Sequence, residues 1–593
     1  MTDAVAYEFG PYRLDLLNRL LLKHGQVVQL TSKAFETLAL LVEHHGQVLR
    51  RRDMMNRLWP DSFVEEINLT VHISALRKAL GETPSHHRYI VTVPKRGYSF
   101  VAPVRQSSAQ RRVADGPSPV ADIQSPAAIK SIAVLPFKSI GDADGYDYLG
   151  SGFANALITR LSRIKQIIVR PTTSVLRYSS PATDPVLAGR ELIVDAVIDG
   201  TMQKKGEGFR LTVQLINVYN GSIMWAESFD EEFSNLFSLE DVLSAKVAQS
   251  LSLKLTGEER EAVSKNQTKN SDAYELYIKG RFFWEKRTES GLLKGAACFQ
   301  QSLLKDPDYA LAHAGLADSY TLLGEYLLLS PEESFPKAKR AALRAIELDS
   351  LLAETYTTLG DIRMFYDYHR LEAEAMYRKA IEINPNYSTG HHSYAWFLLT
   401  QGRFAEAISE LQTAQRLDPL SLTINTTLGL PYYYLRDYDS AIRSFRAVTD
   451  MDPNYAHAHY YLGSALIQKG CYEEAREEFR LQPSEFRFQR LALLGNACAL
   501  SGERREAEAV LTQLKEQSSR RYISPYLPAI IHVGLQEYEE ALDCLEAAFV
   551  GRASWLVFLG IDPLFDKLRK NRRFHDLVEK VGFTNPANVN GLQ

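Results

Sequence analysis

The side chains best suited to chemistry lie close together near the start of the chain. Residues 66–80 read Glu-Ile-Asn-Leu-Thr-Val-His-Ile-Ser-Ala-Leu-Arg-Lys-Ala-Leu. Leu69, Ile73, Leu76 and Leu80 recur at helical spacing and predict one apolar, core-facing stripe. The opposite face then presents Asn68, Val71, Ser74, Ala75 and Lys78, with His72 and Arg77 on its flanks. An amide, a hydroxyl, an imidazole and cations on one helix face can read base edges, and the small apolar residues allow close approach. Arg88 follows, and then Lys95-Arg96-Gly97. Such cations suit phosphate oxygens. The charge is local: residues 66–105 hold six Lys or Arg against Glu66 and Glu82, a net of +4 in a chain whose total is −4. A near-neutral molecule that binds nucleic acid must do so through a patch of this kind.

The neighbouring residues supply elements to hold that helix. Tyr12-Arg13-Leu14-Asp15-Leu16 alternates like a strand, and Val27-Val28-Gln29-Leu30 follows Gly25. Thr31 or Ser32 can cap a helix bearing Phe35, Leu38, Leu41 and Val42, which Gly46 ends. A short helix at about 51–58 carries Met54, Met55 and Leu58. Residues 88–93 and 98–101 form two β runs around Pro94-Lys95-Arg96-Gly97, a hairpin with a basic tip. A helix followed by a basic hairpin is a winged helix-turn-helix, in which the helix enters the major groove of double-stranded DNA. The wing tip then reaches phosphates or the adjacent minor groove.

Residues 7–103 resemble the OmpR/PhoB-type DNA-binding domain. The resemblance rests on residues 30–35, Val48-Leu49-Arg50-Arg51, the Trp59 loop, Val71-His72-Ile73, Leu76-Arg77-Lys78-Ala79-Leu80 and the wing ending Arg96-Gly97-Tyr98-Ser99-Phe100. It implies base or backbone contacts from Asn68, His72 and Arg77 and from Lys95 and Arg96. The sequence departs from the family at Ser74 and Ala75, where relatives often carry arginine. The winged helix comes first, and no phosphoacceptor receiver is expected before it. The order resembles CadC/ToxR-like regulators, in which sensing follows DNA binding.

Residues 106–129 are rich in Ser, Ala, Gln and Pro and read as a linker. Residues 130–258 read as α/β: a buried strand at 132–135, a helix with Leu149, Phe153, Leu157 and Leu161, a strand at 167–169, a helix opened by Asp184-Pro185, three strands joined in part by Asn220-Gly221, and a closing helix. This segment resembles the TolB-like N-terminal domain through residues 131–137 and 197–201, which implies an accessory role. From 270 to 582 the chain repeats. Asn384-Pro385, Asp418-Pro419 and Asp452-Pro453 are spaced by 34 residues, with Ala373, Tyr377, Ala380 and Ala407, Leu411, Ala414 at matching offsets. This resembles the tetratricopeptide repeat, seven or eight units closed by a terminal cap from Asp562 to Phe583. Such arrays present a concave peptide-binding face.

Little points to catalysis. Gly150-Ser151-Gly152 begins a glycine motif that Asn155 does not complete, and no phosphate loop, zinc-protease or serine-elbow motif occurs. His391-His392 and His457-x-His459 are badly spaced to share a ligand. No enzyme activity, cofactor or metal is expected. No stretch approaches a membrane span and no signal peptide is seen, so a cytoplasmic protein is expected. The fold class is therefore multidomain: a winged helix at 1–105, a linker at 106–129, an α/β TolB-like domain at 130–258 and an all-α tetratricopeptide superhelix at 270–582. The expected function is sequence-specific transcriptional regulation, with a protein or peptide partner on the repeats. RNA polymerase and a second copy on DNA are candidate further partners. The competing expectation is an assembly scaffold whose winged helix binds protein.

Overall fold

The computed structural model describes the whole chain except residues 1–4, 17–19, 24–25, 29, 31, 59–68, 70–72, 74–75, 78, 83–87, 94–96, 109–128, 141–146, 181, 206–207, 233–235, 252–255, 258–267, 481–486 and 584–593. The chain divides into two compact units, residues 1–124 and 125–593.

The smaller unit begins with an antiparallel sheet in the order Gln26–Val28, Leu20–Lys23, Tyr12–Asp15, Val5–Phe9 and Arg105–Ser108. The last strand extends into the segment expected as linker: Val5 pairs with Ser108 and Glu8 with Arg105. Helices Ser32–Glu43 and Arg51–Leu58 follow the expected spacing. A second sheet places Gly97–Phe100 between Val48–Arg50 and Ile90–Val93. An aromatic cluster joins the layers. Phe9 and Phe100 meet edge to face at 4.9 Å, and Tyr12 and Tyr89 do so at 5.5 Å. Leu69, Ile73, Leu76 and Leu80 are all buried in this core, as their spacing demands.

The larger unit opens with a mixed sheet. Ile168–Val169, Ser131–Val134 and Ala196–Lys205 are parallel neighbours, and Gly208–Asn217 and Ile223–Glu232 continue antiparallel. Asp184 caps the helix Pro185–Glu191 by accepting from the Val186 and Leu187 N–H groups. Gly221 adopts φ +70° in the turn between the last two strands, the left-handed geometry for which Asn-Gly is selected. Helix Asp147–Leu161 packs on the sheet, and its glycines are spacing residues. A Cβ on Gly152 would lie 1.9 Å from Ile278 Cγ2, and one on Gly150 would lie 2.1 Å from the Phe137 carbonyl oxygen. The glycine pair thus serves close packing rather than a phosphate.

Among the described residues eight antiparallel helix pairs follow, from Ser271–Trp284 with Glu289–Lys305 to Tyr526–Leu535 with Tyr538–Val550. In five pairs an aromatic ring from the second helix lies on a glycine of the first: Phe299 on Gly280, Phe335 on Gly324, Tyr377 on Gly360, Phe445 on Gly429 and Phe479 on Gly463. This is the physical content of the small-residue periodicity. The histidines have a periodic role too. Six residues after the turn proline, His313, His391 and His459 place Nε2 2.9 Å from the carbonyl oxygen of Pro307, Pro385 and Pro453. Asn425 donates to the Pro419 carbonyl from the same position.

The terminal segment differs from a simple cap. The 3₁₀ turns Ser554–Phe558 and Pro563–Leu568 run across the first helices of the pairs and are deeply buried. Phe558 stacks on Tyr434 at 5.8 Å and meets Trp396 at 5.3 Å. Tyr434 and Trp396 thus pack against the chain's own terminal segment. Only then does helix Arg572–Val581 close the array.

The segments expected as separate domains at 130–258 and 270–582 share one core, in which Phe153 and Leu243 cluster with Tyr277 and Phe299. Polar contacts fall on successive turns between repeats. Arg163 meets Asp349 at 3.4 Å, Asn386 donates to the carbonyls of Lys165 and Ile167, and Ser174 donates to Asp418 at 2.5 Å. Arg170, buried, donates to the carbonyls of Leu192 and Ile193 on its own side and of Leu417 in the array.

Candidate nucleic-acid interface

Leu69, Ile73, Leu76 and Leu80 turn into the core of the smaller unit. Of the residues expected to touch DNA, Arg77 and Arg88 are described. Asn68, Val71, His72, Ser74, Ala75, Lys78, Lys95 and Arg96 lie outside the described residues.

Arg77 is tied to the hairpin. Its Nε and Nη2 donate to the Ile90 carbonyl at 3.2 and 2.9 Å, and Nη2 also donates to Thr92 Oγ1 at 2.8 Å. Nε lies 3.7 Å from Glu82 Oε2. Glu82, whose side chain is 1% exposed, accepts from the backbone N–H groups of Tyr89 and Ile90. The helix end, the turn at Gly81 (φ +71°) and the first wing strand are thereby clamped together. Glu82 and Thr92 escaped the sequence reading. The available signal was an acid just beyond the helix-ending glycine, five residues after an arginine.

Arg88 is exposed, with its guanidinium 5.7 Å from the Tyr89 ring centre. Burial pushes the Tyr89 phenol up, and Arg88 opposes this. The wing depends on Gly97, which holds φ +153° where a Cβ would lie 1.9 Å from the Leu49 carbonyl oxygen. No other residue fits there. Arg50, Arg52 and Arg57 are exposed at and along the second helix and add cationic surface that the site reading left out. Among the described residues, no group of His, Cys, Asp and Glu could hold a metal ion.

Comparisons with known proteins agree with this architecture. The family model "Transcriptional regulatory protein, C terminal" matches residues 9–100, and "HilA/YgeH-like transcriptional regulator, second domain" matches residues 128–246. Tetratricopeptide models match residues 376–409 and 426–485. The transcriptional regulator HilA of Salmonella typhimurium is 23% identical over 425 residues, covering 71% of this chain and 72% of that protein. The protein is a DNA-binding transcriptional regulator. The sensory transduction protein RegX3 of Mycolicibacterium smegmatis is 33% identical over 99 residues, 16% of the regulator and 43% of that relative. The solved DNA-binding domain of E. coli CadC is 28% identical and covers 18% of the regulator and 100% of that domain, with a TM-score of 0.17. No helix among the described residues is long and apolar enough to cross a membrane.

Proposed function

We propose that the regulator lays residues 66–80 in the major groove of duplex DNA. Asn68, Val71, His72, Ser74 and Ala75 face base edges, while Lys78, Arg88, Lys95 and Arg96 meet phosphates. Arg77 acts one step back, fixing the angle between helix and wing through Ile90, Thr92 and Glu82. The observation that carries this reading is the match of the transcriptional-regulator family to residues 9–100, together with the buried stripe of Leu69, Ile73, Leu76 and Leu80.

The larger unit takes the input. Its repeats dock a protein partner, RNA polymerase or a second copy of the chain being the candidates that a promoter-bound protein must reach. We also place residues 130–258 with TolB-like domains, a reading supported by the parallel strand–helix–strand arrangement of Ser131–Val134, Asp147–Leu161 and Ile168–Val169. The four free cysteines fit a reducing cytoplasm as the working compartment.

The test is a DNA shift titration of the full chain across salt concentrations. Lys95→Ala and Arg96→Ala should each weaken binding to every duplex and lower the salt slope by about one. Asn68→Ala should relax sequence preference and leave the slope unchanged. Wing variants that bind with unaltered affinity and slope would overturn this reading and favour a protein-binding winged helix.

A further inference from the structure

The array carries a cleft of about 780 Å³ where its early and late repeats meet. One wall comes from residues 288–294 and 326–328, the other from residues 487–489 and 517–527. The floor is apolar: Leu327 and Leu527 are buried, and Phe488 and Ile523 are half-buried. The rim is cationic, with Lys294, Arg487 and Arg521 against the single carboxylate Glu289.

Arg521 is the most informative of these groups. Its Nη2 lies 3.2–3.3 Å from the Glu289 carboxylate, a long and weak contact. Its Nε is buried and finds no hydrogen-bond partner. An unmade hydrogen bond at a buried cationic donor is costly, so a ligand that supplies the acceptor is favoured there. The Phe488 ring lies under both guanidiniums, 5.2 Å from Arg521 and 6.0 Å from Arg487. Leu327 sits at φ +58°, a left-handed position for a bulky residue, and its side chain forms part of the floor.

We propose that this cleft binds a small organic carboxylate with an apolar body. The volume suits a ligand of ordinary effector size. The carboxylate would accept from Arg521 and be flanked by Arg487 and Lys294, and the apolar part would cover Leu327, Leu527 and Phe488. Direct ties at the cleft itself join its two walls. They include Gln489 donating to the Tyr326 carbonyl at 3.0 Å and the Arg521–Glu289 pair. An occupant therefore braces the early repeats against the late ones, giving a regulator of transcription an input of its own beside any protein partner.

Isothermal titration of the full chain with phenylbutyrate, phenylbutyramide and phenylbutylamine tests the proposal. The acid should bind, the isosteric amide about tenfold more weakly or worse, and the amine not at all. Arg521→Gln should lose about tenfold or more in affinity for the acid. Leu293→Glu, at a position 44% exposed on the cleft wall, adds a like charge without disturbing the core and should abolish binding. The acid should raise the thermal midpoint of the wild type and leave that of Leu293→Glu unchanged. Absence of binding by the acid, equal binding of acid and amide, or undiminished binding by Leu293→Glu would each overturn it.

Discussion

The two units solve the placement of charge in opposite ways. In the smaller one the interior is aromatic and aliphatic, and Arg50, Arg52, Arg57 and Arg88 stay at the surface. The buried carboxylate of Glu82 accepts two backbone N–H groups and lies 3.7 Å from Arg77. In the larger unit, charge goes inside. Arg160, Arg170, Glu240, Asp349 and Asp418 are all buried, most of them where the α/β part meets the repeats. A surface that meets phosphate must keep its cations solvated and mobile until DNA replaces their counterions. A joint between two parts of one body instead gains from directional, buried polar contacts, because a single arrangement satisfies them.

The sharpest way to break this contrast is to remove the central cation of the joint. Arg170→Ala strips donors from the carbonyls of Leu192, Ile193 and Leu417 and takes from Asp418 one of two nearby positive charges, leaving Arg177. Ile193 is itself at φ +53°, an unusual conformation for a β-branched residue, and loses the bond to its carbonyl. The expected loss is about 3–5 kcal/mol, the scale for breaking a buried charged pair. Denaturant unfolding should change from one transition to two as the α/β part separates from the array. Arg170→Lys should not rescue it, since one ammonium cannot reproduce the guanidinium fork.

In the smaller unit the matching change is Arg77→Ala. It exposes the Ile90 carbonyl and leaves Glu82 buried with one neighbour fewer, a cost of about 2 kcal/mol. DNA affinity should fall because helix and wing lose their common anchor, yet the salt slope should stay that of the wild type. A slope lowered by about one, as for a lost phosphate contact, would instead assign Arg77 to the DNA backbone.

What was legible in the sequence follows the same division. Helices Ser32–Glu43 and Arg51–Leu58, the wing strands and the 34-residue repeat were readable because periodicity and turn residues act over a few residues. The stripe of Leu69, Ile73, Leu76 and Leu80 was read in full. Three features were not readable. The Arg105–Ser108 strand has a polar composition and exists through pairing with Val5–Phe9. The bond from Asn386 to residue 165 spans 221 positions, with no local pattern at either end. Phe558 packs on Tyr434 and Trp396 from a distant part of the chain, and no local pattern at either end says so. At the candidate interface, residue types could be read, whereas the anchoring role of Arg77 depended on where Glu82 and Thr92 fold.

The buried charges of the larger unit also predict its pH response. Glu240 is 4% exposed, its Oε1 has no hydrogen-bond partner, and Arg160 lies 3.7 Å from Oε2. Burial pushes Glu240 up to about 8, against the pull of Arg160. The folded state therefore binds a proton that the unfolded chain has already lost. That contribution to stability is complete below the ordinary carboxylate range and disappears as pH rises through about 8. Glu240→Gln keeps the shape and removes the titration. At pH 9 the variant should be more stable than the wild type by about 1–2 kcal/mol, with the difference shrinking towards pH 5. Thermal midpoints that track each other across this range would show that Glu240 is ionised in the folded protein.

The smallest effect tests how the array uses backbone strain. The turn inside every helix pair contains a left-handed residue, which is Gly402, Gly470 or Gly502 in three pairs and Arg287, Leu327, Tyr368, Arg436 or Gln536 in the others. Where the residue is not glycine, its side chain usually has work in the interior. Arg436 reaches Asp566 and the Ile561 carbonyl, Tyr368 donates to the Ala553 carbonyl, and Leu327 floors the seam cleft. Gln536 is exposed. A left-handed non-glycine residue costs about 1–2 kcal/mol, and the added freedom of glycine in the unfolded chain returns part of that. Gln536→Gly should thus stabilise the larger unit by about 0.5 kcal/mol. Arg436→Gly relieves the same strain but removes the contacts to Asp566 and Ile561, so it should destabilise. Opposite signs from the two substitutions in denaturant unfolding would show that the strained turns are kept for what their side chains hold, and equal signs would show that backbone geometry alone governs them.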